Sequence, residues 1–162
     1  MKIQVLTKQH DRKKFDCGTL ELNRFLSRNA RQADERSLSR TYVLTQDNDN
    51  TIIGFYTLSP TEINAPANSK LKNYYLPVPA IKLGRLAIDK NHQSQGYGAV
   101  LLSDALKKVN NAHQSIPTIG LVVDAKTTTA KRFYQQFGFI DMHKEEDRLQ
   151  LWLPIKTINQ LF

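Results

Sequence analysis

Hydrophobic periodicities of strand type and helix type alternate along these 162 residues, which predicts an α/β (α+β) fold in one domain spanning 1–162. Three observations lead there. Short runs rich in Val, Ile, Thr and Tyr recur between turn-forming clusters. Leu102, Ala105, Leu106 and Val109 recur at the spacing of one helix face within residues 95–110. With 40% hydrophobic residues the chain can bury one core, and no repeat, linker or low-complexity tract interrupts it.

Ile3, Val5 and Thr7 alternate with polar neighbours, as in a strand. Leu20, Leu22, Phe25 and Leu26, followed by Ala30 and Ala33, predict a helix over 20–36 with Asp16 or Thr19 as its cap. Residues 40–45 and 51–58 read as a hairpin about the turn run Asp47-Asn48-Asp49-Asn50. Residues 60–79 hold Pro60, Pro66, Pro77 and Pro79; proline brings no amide proton to a ladder, so this segment is expected to be a loop. Residues 80–88 resume as a strand broken by Gly84, 95–110 form the main helix, and 118–124 read as a buried strand. Residues 127–137 predict a shorter helix with Ala130, Phe133, Tyr134 and Phe137 on one side, and Gly138 stands where a helix end takes a left-handed residue. Glu145-Glu146-Asp147 reads as a solvated turn, 148–153 as a last strand stopped by Pro154, and 155–162 as a final helical turn.

Twenty-three Lys and Arg against fifteen Asp and Glu give a net charge of +8, which favours polyanionic partners. The surplus is uneven: residues 1–40 carry ten bases and five acids, whereas 41–65 carry three acids and no Lys or Arg. Arg24, Arg28 and Arg31 share one face of the expected helix, either a solvated face or a grip on phosphates. No run of eighteen apolar residues spans a membrane, and the first ten residues lack the apolar stretch of a secretory signal. A single cysteine, Cys17, excludes an internal disulfide and points to a reducing cytoplasm. Cys17 reads as a small buried residue rather than a nucleophile, because no base neighbours it. His10, His92, His113 and His143 show no ligand spacing, so no metal site is expected.

The informative segment is strand, turn and helix: residues 83–89, then Lys90-Asn91-His92, then Gln93-Ser94-Gln95-Gly96-Tyr97-Gly98-Ala99. Amides at a helix start lack internal partners and the helix dipole adds positive potential, so such a turn can hold a pyrophosphate. The pattern is neither a dinucleotide fingerprint, which needs a third glycine, nor a P-loop, which ends Gly-Lys-Ser/Thr. Taken alone, two glycines at a helix start also serve as a plain turn device.

Gln93-x-x-Gly96-x-Gly98 matches the pyrophosphate-loop pattern of the GNAT acyl-CoA N-acyltransferases, and the chain resembles that superfamily. Ala125-x4-Ala130-x2-Phe133-Tyr134-x2-Phe137-Gly138-Phe139 lies where the resemblance expects it. Phe15-Asp16-Cys17-Gly18, Leu22-Asn23-x-Phe25-Leu26, Arg40-Thr41-Tyr42-Val43 and the ending Lys156-Thr157-Ile158-Asn159-Gln160-Leu161-Phe162 resemble a narrower branch. That branch is the toxins of bacterial toxin–antitoxin modules that acetylate aminoacyl-tRNA. The resemblance implies a mixed, mostly antiparallel sheet whose fourth and fifth strands splay apart for acetyl-CoA. It also implies pantetheine pairing with Leu86, Ala87 and Ile88, and a diphosphate on Gln93, Ser94, Gln95, Gly96, Tyr97, Gly98 and Ala99. Thr127 and Phe133 complete the expected cofactor contacts, although Thr127-Thr128 departs from the Asn/Asp-Glu pair common in relatives. An antitoxin, ribbon-helix-helix in type, and a homodimer follow from the same resemblance.

Acetyl transfer to an amine needs a neutral nucleophile, a polarised carbonyl and a proton for the departing thiolate. An α-amine has a reference pKa of about 7.7–8.0, and an adjacent ester lowers it, so little base is needed. Tyr134, at the position the family uses for its acid, is the expected proton donor; by pattern alone it would be a core aromatic. Arg24, Arg28, Arg31, Lys70, Lys72, Lys82 and Arg85 are the expected tRNA contacts. Arg85 either meets the acceptor end or forms a buried pair, and Asp89 or Glu62 could orient the amine. The other acceptors to weigh are a protein N-terminus and a polyamine; polyamines want an acidic pocket, which the +8 balance opposes. A non-catalytic binding module is the remaining class.

Overall fold

The computed structural model describes residues 1–143 and 149–162. The acidic run at 145–147 and Arg148, at the start of the expected last strand, lie outside the described residues. Among the described residues seven strands, β1 (Lys2–Val5), β2 (Arg40–Thr45), β3 (Ile52–Ile63), β4 (Val78–Ile88), β5 (Gly120–Asp124), β6 (Ile140–Asp141) and β7 (Gln150–Pro154), hydrogen-bond in the order β1-β2-β3-β4-β5-β7-β6. The chain divides into two compact units, residues 1–59 with 84–105 and residues 60–83 with 106–162; β3 and β4 contribute to both.

In the first unit β1 (Lys2–Val5) pairs antiparallel with β2 (Arg40–Thr45), from Lys2↔Thr45 to Val5↔Tyr42. β2 pairs antiparallel with β3 (Ile52–Ile63), giving the expected hairpin with a bulge at Leu44/Thr45. Leu6, Phe15, Phe25, Leu26, Ala30, Val43, Ile52, Phe55 and Ala87 form its core. Phe55 is the hub of that core, with Phe15 edge-on at 5.4 Å and Phe25 stacked at 6.3 Å.

The helix expected over 20–36 is not continuous. α1 (Leu20–Arg24) and α2 (Ala30–Glu35) are joined by a wide π turn at Phe25–Asn29, where the Ser27 carbonyl accepts from Arg12. The wide turn buries Phe25 and Leu26 in succession, and it shifts the register of everything after it. Neither expected cap acts as one. Thr19 stands at the cap position without a side-chain bond, and the Asp16 carboxylate takes the Gly18 amide instead.

Two strands are longer than their sequence suggests. β3 runs on through Pro60 to Ile63, and β4 (Val78–Ile88) starts before Pro79, so only residues 64–77 remain a loop. Both prolines are exposed, where a missing ladder donor is tolerated.

In the second unit β4 pairs in parallel with β5 (Gly120–Asp124). Only Ile81↔Leu121, Lys82↔Val122 and Leu83↔Val123 are in register, so the pairing of the two strands expected to part ends at Leu83. β5 pairs antiparallel with β7 (Gln150–Pro154), and β7 with β6 (Ile140–Asp141), a two-residue strand too short for periodicity to reveal. α3 (Tyr97–His113), α4 (Thr128–Gln136) and α5 (Ile155–Asn159) follow the expected helices within a few residues. Gly138 has φ +93°, the left-handed helix end that was expected. Ala80, Val122, Met142 and Trp152 pack together, and the Trp152 indole donates to Asn68 at 3.2 Å. Among the described residues no helix is long and apolar enough to cross a membrane.

Candidate functional site

The first unit brings Leu86, Ala87, Ile88 and residues 93–99 into one continuous path from β4 into α3. After Ile88 the chain turns at Asp89, passes a short 3-10 turn at Lys90–His92 and enters α3 at Tyr97. Asp89 is 9% exposed, and its carboxylate accepts from the Asn91 amide at 3.0 Å and the Asp16 amide at 3.1 Å. Its carboxylate therefore shapes the turn. His92 sits half-buried with Nδ1 3.6 Å from Asp89, on the inner side of the turn.

Ser94 (φ +62°) and Gly96 (φ +86°) both occupy the left-handed region. A Cβ on Gly96 would meet nothing within 4 Å, so this glycine answers to its backbone angle and leaves open space above it. Alternating left- and right-handed residues curl a chain so that its amides converge, and the start of a 17-residue helix adds its dipole. A turn of this shape at a helix start can present main-chain amides to a diphosphate. The Gln93 side chain plays a different part: its amide donates to the Ile88 carbonyl at 2.9 Å and the Cys17 carbonyl at 3.0 Å. Gln93 thus fastens the turn at both ends of its reach.

Cys17 is half-buried, its thiol leaning on the Thr19 carbonyl at 3.6 Å and pushed up in pKa chiefly by desolvation. That environment disfavours the thiolate and agrees with an inert residue, although one less deeply buried than expected.

Arg85 does not form the buried pair that was one of its two expected forms. No ion pair holds it among the described residues; its guanidinium lies 3.5 Å over the Phe25 ring, a cation–π contact that explains a charge in a central strand. Desolvation lowers its pKa without removing its charge at neutral pH. Arg24 and Arg28 are exposed, whereas Arg31, beyond the π turn, is half-buried and 3.4 Å from Glu35.

In the second unit Tyr134 is 7% exposed, with Phe133 edge-on at 5.1 Å and Phe139 at 5.3 Å. Burial drives its hydroxyl pKa upward, so it stays protonated through the physiological range. Thr127 is the cap of α4, its hydroxyl accepting from the Ala130 amide at 3.1 Å, and Thr128 follows in the first turn. Lys82 pairs with Asp124 at 3.1 Å, while Lys70 and Lys72 are exposed in the 64–77 loop. Glu62 is exposed near the end of β3. Among the described residues no group of three His, Cys, Asp or Glu is arranged to hold a metal ion.

Pattern reading passed over one feature of the first unit. Asp16 and Asn23 bind each other and the backbone around Cys17, whose carbonyl receives Gln93. The segment stands out in sequence only as a motif of the narrower branch; its link to a residue 76 positions away is invisible in one chain.

A family model described as an acetyltransferase (GNAT) domain matches residues 14–153. A tRNA-acetylating toxin of Mycobacterium tuberculosis is 33% identical over 91% of this chain and 87% of its own length. The structure of AtaT complexed with acetyl-methionyl-tRNAfMet superposes with a TM-score of 0.89 at 34% identity, covering 99% of this chain and 98% of that one. A tyrosine-to-phenylalanine mutant of the AtaT toxin, bound to the C-terminus of the antitoxin AtaR and to acetyl-CoA, gives a TM-score of 0.85 at 32% identity, covering 99% and 97%.

Proposed function

The chain belongs to the GNAT acetyltransferase family, and on that premise we propose that it moves acetyl from acetyl-CoA to the free α-amine of aminoacyl-tRNA, stopping translation as a toxin. The observation that carries the reading is the breadth of the likeness to relatives whose work is tRNA acetylation: 33–34% identity across nearly the whole chain, through helices, loops and the C-terminal turn.

Bound acetyl-CoA supplies an activated thioester. The amides of residues 94–99 receive its diphosphate, and Leu86, Ala87 and Ile88 offer main-chain groups to its pantetheine arm. A main-chain amide of the same strand stabilises the developing oxyanion, often the largest single contribution in acyl transfer. Tyr134 holds a proton on Oη throughout the neutral range and gives it to the departing sulfur; the attacking nitrogen sheds its own proton to solvent, from which the tyrosinate is reprotonated. The amine needs no dedicated carboxylate, which accords with Asp89 being committed to the turn. Arg24, Arg28, Lys70 and Lys72 meet the phosphate backbone, and the guanidinium edge of Arg85 that Phe25 leaves uncovered meets the acceptor end. An antitoxin of the ribbon-helix-helix type and a homodimeric state complete the proposal, and the cytoplasm is where charged tRNA is met.

The test is transfer of labelled acetyl to mixed charged tRNA, with uncharged tRNA, a polyamine and a peptide N-terminus as parallel acceptors. Label confined to charged tRNA, and released as N-acetyl amino acid on mild deacylation, is the expected result. Label on the polyamine or the peptide would reassign the acceptor and leave the family standing.

A further inference from the structure

We propose that Asp16 and Asn23 are positioning residues for the acetyl-CoA turn, holding residues 93–99 in shape through the Cys17 carbonyl. The inference rests on the cofactor reading above and assigns a task to a segment far from the turn in sequence.

The left-handed pair Ser94 and Gly96 is a conformation that a free loop abandons readily, most of all at the non-glycine Ser94. Something outside the loop has to hold it, and Gln93 is the handle. One of its two acceptors, the Ile88 carbonyl, is local; the other, the Cys17 carbonyl, belongs to a different segment. That second acceptor is useful only if Cys17 is itself immobile.

A closed ring of hydrogen bonds makes it so. The Cys17 amide donates to Asn23 Oδ1 at 2.9 Å, and Asn23 Nδ2 donates to Asp16 Oδ1 at 2.9 Å. The same Asp16 oxygen takes the Gly18 amide at 2.9 Å, where Gly18 has φ +90° and lets the chain reverse. The ring is bolted to the turn a second time: the Asp16 amide donates to Asp89 Oδ2, the Lys90 amide donates to the Asp16 carbonyl at 2.8 Å, and Lys90 Nζ lies 3.0 Å from Asp16 Oδ2. These donors, the Gly18 amide foremost, hold the Asp16 carboxyl down at about 2, so the ring keeps its charge well below neutral pH. Phe15, 5% exposed and edge-on to Phe55, roots the segment in the core. Two segments far apart in sequence therefore behave as one rigid piece, and the affinity for a diphosphate depends on both.

The test compares Asp16→Ala, Asn23→Ala and the conservative Asp16→Asn by calorimetric acetyl-CoA binding, steady-state kinetics and amide hydrogen exchange without ligand. Each alanine variant is expected to raise the Kd and KM for acetyl-CoA about tenfold, with kcat and the KM for charged tRNA within about twofold. Asp16→Asn keeps the oxygen that receives Gly18 and Asn23, so it should recover most of that loss. Exchange at residues 100–103, whose amides bond back into the turn from Val100 onto Gly96 onward, should quicken in both alanine variants. If an alanine variant does not fold, Asn23→Asp, which keeps the shape and sets a carboxylate against Asp16, should show the same quickening. Wild-type exchange at 100–103, or an affinity loss equal in Asp16→Asn and Asp16→Ala, overturns the proposal. A wild-type protein that fails to bind acetyl-CoA instead overturns the cofactor reading, and exchange alone then decides the positioning role.

Discussion

Gly54→Ala tests how tightly the cofactor strand is packed. Gly54 lies in β3, and a Cβ there would stand 2.6 Å from Ile88 Cδ1, 3.0 Å from the Ala87 carbonyl oxygen and 3.0 Å from Leu101 Cδ1. Ile88 can rotate its methyl aside, but the Ala87 oxygen is β4 backbone and Leu101 is fully buried. Overpacking of this kind costs about 1–3 kcal/mol, against which the loss of unfolded-state freedom returns about 0.4–1 kcal/mol. The remainder, roughly 0–2.6 kcal/mol, lowers Tm by up to roughly 10 °C in a domain of this size. Gly84→Ala is the control, because its Cβ would meet a single atom, Thr57 Oγ1 at 3.0 Å, and asks only for a shift of a few tenths of an ångström. Its Tm should stay within about 2 °C of wild type. A shift at Ala87 also disturbs the neighbouring groups proposed for pantetheine, so Gly54→Ala should weaken acetyl-CoA binding while Gly84→Ala should not. The assays are thermal unfolding and calorimetry side by side. Gly54→Ala melting at or above Gly84→Ala would refute the packing argument.

Three further outcomes are expected. Tyr134→Phe should lower kcat by roughly 10²–10⁴ with acetyl-CoA affinity nearly unchanged; an equal loss of binding would reassign the residue to the cofactor pocket or the core. Glutamate at Arg24 and Arg28 should weaken tRNA binding and flatten its dependence on salt, whereas Arg31→Glu should do so less, a ranking read from a salt titration of binding. His10 is buried with Nδ1 accepting the Thr7 amide at 2.9 Å, and desolvation lowers its pKa below the usual 6.5. The unfolded chain therefore binds the proton more readily, so stability is fully present above about pH 6.5 and declines as pH falls below it. His10→Asn should flatten the fall in Tm between pH 6.5 and 5, and an unchanged slope would remove His10 as the cause.

Most elements were legible because their periodicity is local: α3 shows itself in Leu102, Ala105, Leu106 and Val109, and β2 in Thr41 to Thr45. What escaped has tertiary causes. Pro60 and Pro79 read as loop, yet both lie in strands where an exposed position asks for no ladder donor. The π turn at Phe25–Asn29 follows from burying Phe25 and Leu26 against the Phe55 core, and no i, i+4 pattern announces it. Arg85 was seen to need a reason, but the reason, a ring 60 positions earlier, is not written near it.

Gln93 shows why a motif can be recognised before it is understood. Its spacing to Gly96 and Gly98 marks a phosphate turn, which invites the reading that its amide touches phosphate. In the folded chain both bonds given by that amide go to carbonyls, at Ile88 and Cys17. The donors left for an anion are the main-chain amides, which any residue supplies, so side-chain identity at the motif's first position serves the shape of the turn. Asparagine there is one methylene short of those carbonyls, and glutamate offers acceptors where donors are required. The constraint on position 93 therefore arises from Asp16, Asn23 and Cys17 as much as from the ligand.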